Sequence, residues 1–130
     1  MTRPLPDIRA DIDELDEFIV RAFFDWFSPD KNPGETIIKP EEVGQLISVS
    51  LRFSHMTWQL INARMRLSEE VWETKKASWQ KVVIDKERYA VVIARAQSYA
   101  PNYAREEVRK LYNLIHDISV RIQNEIIAQS

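Results

Sequence analysis

At 130 residues, 45% hydrophobic and 29% charged, the chain is long enough to bury a core and reads as a single soluble domain spanning residues 1–130. A net charge of −2 lacks the global basic footprint of a nucleic-acid binder, and the absence of cysteine excludes disulfides, thiolate metal sites and thiol nucleophiles. With 2 glycines a Gly-rich phosphate loop is nearly excluded and an all-α helical bundle is expected. The N-terminus has no apolar signal core and no run is long enough to cross a bilayer, so the expectation is a cytoplasmic protein with neither membrane nor nucleic-acid partner.

The first predicted helix is capped by Asp7, carries Ile8, Ile12, Leu15, Ile19, Phe23 and Trp26 at helical spacing, and ends near Phe27. The acidic run Asp11 to Glu17 reads as its solvated face. Residues 28–39, rich in proline and holding one glycine, form a turn. From Pro40, with Glu41 and Glu42 in its first turn, a second helix is predicted to continue to about Ser78, Gly44 being its one weak point. Such a helix would be roughly 55 to 60 Å long, too much for one small domain to cover, and a homodimer sharing it is the simplest remedy. Residues 79–84 connect to a third helix, capped by Asp85 and running to about Tyr99 with Tyr89, Val92, Ile93 and Ala96 on one face. Pro101 and Asn102 break and recap the chain. In the last helix Val108, Leu111, Tyr112, Ile115, Ile118, Ile122 and Ile126 form a stripe with Ser119 and Gln123 on its edge.

Arg64 and Lys75 stand eleven residues apart, and at about 100° per residue their side chains come back to within about 20° of one another. Their row also holds Leu60, Ile61, Leu67, Ser68 and Val71, so two cations lie on or beside an apolar stripe and want an anion there. With Asp85, Arg88, Ser119 and Gln123 they make a polar set, drawn from three helices, suited to a small polyanion. The set offers no acyl-transfer triad, metal-ligand spacing or phosphate loop, so catalysis by it must work through positioning and electrostatics. Plainer readings stand beside this one. Arg64 and Lys75 can snorkel at a surface, Asp85 can be only a cap, Ser119 and Gln123 can bond between helices, and Arg9 can pair with Asp13 one turn on. The four tryptophans read as core or dimer contacts, and neither His55 nor His116 has a partner at metal-ligand spacing.

Three stretches together resemble the all-helical class of chorismate mutases, a family that also contains isochorismate-pyruvate lyases and amino-deoxychorismate mutases. They are IRADIDELDEFIVRAFF (8–24), ARMRLSEEVWETK (63–75) followed by Asp85 and Arg88, and the final helix with SVRIQ (119–123). The resemblance implies a cofactor-free pericyclic rearrangement of chorismate, a small dianion, to prephenate, as in aromatic amino acid biosynthesis. It places Arg64 and Arg88 on carboxylates, Lys75 and Gln123 at the ether oxygen, and Asp85 and Ser119 at the ring hydroxyl or a carboxylate. Arg9 matches an arginine that the family sends into the neighbouring subunit's site. Two departures matter. Residues 25–60 are an insertion into what is one helix in the family, so the first helix should fold back as a hairpin, with Arg52 as a substitute for Arg9. Tyr89 stands where many mutases have a glutamate on the substrate hydroxyl, which keeps isochorismate lysis and 4-amino-4-deoxychorismate rearrangement open as alternatives. A non-catalytic helical dimer that binds a partner is the remaining alternative.

Overall fold

The computed structural model describes residues 3–24, 36–49, 55–77 and 86–128. These form five α-helices: α1 (Leu5–Phe24), α2 (Pro40–Val49), α3 (His55–Ala77), α4 (Lys86–Ser98) and α5 (Arg105–Ala128), the last entered through a 3-10 turn at Asn102–Ala104. No strand occurs among the described residues, and no helix in them is long and apolar enough to cross a membrane. The all-α class that the glycine-poor composition predicts is the class observed.

Helix α5 is the central element, packed by α2, α3 and α4, while α1 lies mainly along α3. Its stripe of Val108, Leu111, Ile115, Ile118 and Ile122 is buried against Leu60, Ile61 and Met65 of α3, Ile19 of α1 and Val92 and Ala96 of α4. A smaller apolar group, Ile8, Ile12 and Val71, closes the other end of the α1–α3 pair.

Helix α1 starts two residues ahead of the expected Asp7 cap. The carbonyl of Pro4 accepts hydrogen bonds from the amides of Asp7 and Ile8, and Pro6 fits the first turn because no N–H is needed there. Advancing along α1 means retreating along α3, since Arg3 bonds Glu70 at 2.8 Å and Asp16 bonds Arg64 at 2.6 Å. The two helices are therefore antiparallel, which is the hairpin expected from the insertion.

The uninterrupted helix expected from Pro40 to Ser78 is corrected. Along such a helix Pro40 and Asn62 would lie about 33 Å apart. Instead the amide of Ile37 donates to Asn62 Oδ1 at 2.9 Å, so the chain reverses between α2 and α3. Gly44 does not break α2. Helix α2 is held at its N-terminal end: the Lys39 amide donates to Glu42 Oε1, and Arg121 of α5 donates to both Glu42 and the Ile37 carbonyl. The argument for a dimer built on one shared long helix loses its premise with this reversal. The connector 79–84, most of the 28–39 turn, Arg52, Asp85, Trp26 and Trp79 lie outside the described residues.

Candidate active site

Between α1, α3, α4 and α5 lies a cavity of about 120 Å³. Each helix contributes polar groups at intervals set by its own turn. From α3 come Arg64, Ser68 and Lys75, one row at spacings of four and seven. Helix α4 supplies Arg88 and Tyr89 from its first turn, and α5 supplies Tyr112, His116 and Ser119 from successive turns of one face. Arg9 enters from α1 of the same chain. Ile12, Val71, Val92 and Ile115 make the wall apolar between these groups.

Arg64 is 8% exposed and its Nε donates to Asp16 Oδ1 at 2.6 Å. Because that bond uses the Nε edge of the guanidinium, the remaining N–H donors of this cavity-lining side chain are left for other partners. The Tyr112 hydroxyl donates to the same Asp16 oxygen at 2.9 Å, and the guanidinium carbon lies 5.7 Å from the Tyr112 ring centroid. Burial disfavours the charge on Arg64, but the adjacent Asp16 carboxylate outweighs it and raises the guanidinium pKa above its ordinary value. Burial and then the Asp16 charge push the Tyr112 phenol well up, so it is a fixed neutral donor.

Lys75, also 8% exposed, holds its ammonium 4.7 Å from the Trp72 ring centroid, while Trp72 Nε1 donates to Ser119 Oγ at 3.4 Å. Arg88 donates to Asp13 Oδ1 at 2.7 Å, and Asp13 also holds Arg95 at 2.8 Å. Asp13 and Asp16 thus correct the expectation that residues 11–17 form a solvated face. Folding α1 back onto α3 and α4 turns both carboxylates inward against arginines. For the same reason Asp13 pairs with Arg88 and Arg95, not with Arg9. Arg9 lines the cavity and forms no ion pair with any described residue.

Of the residues singled out in the sequence, Arg9, Arg64, Lys75, Arg88, Tyr89 and Ser119 meet in this one cavity. Gln123 does not line it. It is buried one turn beyond Ser119 on α5, with its Oε1 lacking a hydrogen-bond partner among the described residues. Sequence reasoning missed Asp16, Trp72, Tyr112 and His116. Three of these had a signal: Tyr112 and His116 extend the Ser119 row backwards by seven and three, and Trp72 precedes Lys75 by three.

Four cations line the cavity and, among the described residues, no carboxylate does. The geometry defines an all-helical protein whose cavity is lined by cations between apolar walls. The chain belongs to the chorismate mutase type II family, whose model matches residues 57–124. That match contains every described lining residue except Arg9 and Ile12. No curated protein and no solved structure matches the chain.

Proposed function

We propose that the chain rearranges chorismate to prephenate within this cavity. The observation that carries the reading is the convergence of Arg9, Arg64, Lys75 and Arg88, from three helices, on one apolar-walled chamber with Ser119 opposite. In the reaction one carbon–oxygen bond breaks as one carbon–carbon bond forms, with no proton transferred and no covalent intermediate. The protein must therefore hold the dianion folded and meet the negative charge that grows on the ether oxygen. Arg64 and Arg88 take the two carboxylates, with Arg9 reinforcing one of them. Lys75, itself 8% exposed, donates to the ether oxygen, where a preset ammonium stabilises the transition state more than the ground state. Gln123 joins Lys75 if its side chain turns toward the cavity, which its unpaired Oε1 leaves it free to do. Ser119 contacts a carboxylate, and Asp85, which lies outside the described residues, is a candidate for the ring hydroxyl.

Because Arg9, Arg64, Lys75 and Arg88 of one chain reach the same cavity, we propose that each chain completes its own site, whether or not two chains pair. The test is to incubate purified protein separately with chorismate, isochorismate and 4-amino-4-deoxychorismate and identify the products. Prephenate from chorismate is the expected result. Salicylate and pyruvate from isochorismate, or an amino-prephenate, would reassign the chain to a sister reaction. Turnover of none by a folded protein would leave a partner-binding helical protein.

A further inference from the structure

Among the described residues, the cavity contains an acceptor that the cation inventory does not account for. His116 lies on the α5 wall, its ring stacked on Tyr89 with centroids 3.9 Å apart and planes at 30°. The Tyr89 hydroxyl does not serve the cavity. It donates to Asn113 Oδ1, one turn before His116 on the same helix. Tyr89 is thereby tied at its tip and acts as a flat support that fixes the imidazole from one side.

The remaining lining groups show why an acceptor matters. Arg9, Arg64, Lys75, Arg88 and the Trp72 indole can only donate. The Tyr112 hydroxyl is committed to Asp16, and Ser119 Oγ accepts from Trp72 and keeps its O–H to donate to a carboxylate. Ser68 lies on α3 between the two cations, in the positive field that carboxylates will occupy. Both carboxylates and the ether oxygen of the substrate are acceptors and are matched by these donors. The substrate's one donor is its ring hydroxyl, and His116, on the α5 wall of the cavity, is an acceptor that can receive it. Burial lowers the His116 pKa from its ordinary value, Asp117 pulls weakly the other way and the Arg64 charge adds to the lowering, so the ring is held toward its neutral form, in which one nitrogen can accept.

We propose that His116, seated on Tyr89, is the specificity-determining residue of the cavity: it accepts a hydrogen bond from a neutral ring hydroxyl and so selects a hydroxyl-bearing dianion over its amino analogue. This rests on the mutase-type reading above. A protonated amine in the same place would face four cations with no lining carboxylate among the described residues to receive it.

The experiment compares wild type, His116→Phe and His116→Gln on chorismate, 4-amino-4-deoxychorismate and a chorismate analogue lacking the ring hydroxyl, with thermal melts run alongside. Phe keeps the ring on Tyr89 and removes the acceptor, whereas Gln keeps an acceptor. Wild type should favour chorismate over the amino analogue. His116→Phe should lower kcat/KM on chorismate roughly tenfold, as expected for one lost hydrogen bond, and leave the deoxy analogue within about twofold. His116→Gln should recover part of the loss. An equal loss on chorismate and the deoxy analogue, or a wild-type preference for the amine, would overturn the inference while leaving the mutase reading intact. Asp85→Asn tested in parallel would overturn it too, if that change and not His116→Phe abolished the discrimination. If wild type turned over none of the three, both the mutase reading and this inference would fall.

Discussion

Two buried charged residues, Asp16 behind the cavity wall and Lys75 on it, should respond to substitution in opposite ways. Asp16 is 1% exposed and touches no substrate-facing space, but it neutralises Arg64 and receives the Tyr112 hydroxyl. Asp16→Ala would leave a buried guanidinium unpaired and a buried phenol without an acceptor. We expect a loss of about 3–5 kcal/mol in stability, read from the denaturant midpoint. Lys75 holds its charge over Trp72 and has a substrate to meet. Lys75→Met keeps the aliphatic stem and removes the ammonium, so stability should fall by no more than about 2 kcal/mol. Its kcat should fall by a factor of about 10² or more, because the donor aimed at the developing oxyanion is gone. Should Lys75→Met keep its rate, the ammonium is a packing feature and another group must act at the ether oxygen.

The helices themselves were largely legible in the sequence, because the 3-4 spacing of α5 and the acids that open α2 and α5 are properties of each segment alone. What could not be read is whatever depends on a turn between segments. Nothing in residues 40–77 is a strong helix breaker, so local propensity favours continuity, and tertiary bonds decide the matter: Arg121 on Glu42 and Asn62 on Ile37 hold α2 against α5 instead of in line with α3. Asp16 and Arg64 are likewise 48 residues apart, beyond any rule for neighbours on one helix. The fold-back of α1 follows from the insertion, but the register that sets Asp13 and Asp16 against arginines rests on pairings between residues far apart in sequence. One consequence of local propensity remains testable in α2. Gly44 is exposed within the helix, and an added Cβ would meet nothing within 4 Å. Gly44→Ala should therefore stabilise the fold by about 0.5–1 kcal/mol through the narrower unfolded ensemble, with activity unchanged. A melting temperature lower than wild type would mean that α2 needs the flexibility that glycine gives.

Taken as a whole molecule, the hairpin between α1 and α3 decides which chain completes the site. An unbroken first helix would carry Arg9 far from Arg64 of its own chain, and only a second subunit could return it. Folding α1 antiparallel onto α3 instead brings Arg9 to the cavity that Arg64, Lys75 and Arg88 already line. Arg9 arrives without a counter-ion among the described residues, whereas Asp16 and Asp13 arrive with it and partly offset Arg64 and Arg88. The same helix thus adds one cation and moderates two, so Arg9 should matter more than its peripheral place on α1 suggests. These alternatives are separated by mixing two inactive variants, Arg9→Ala and Lys75→Met, after unfolding and refolding them together. If sites were shared across a two-fold dimer, random pairing would return about a quarter of the sites with both residues intact. If each chain completes its own site, every site in the mixture lacks one residue or the other, and activity should stay at the level of the separate variants. We expect no recovery. Activity returning to about a quarter of wild type would show that Arg9 serves a partner and that the hairpin opens in the assembled protein.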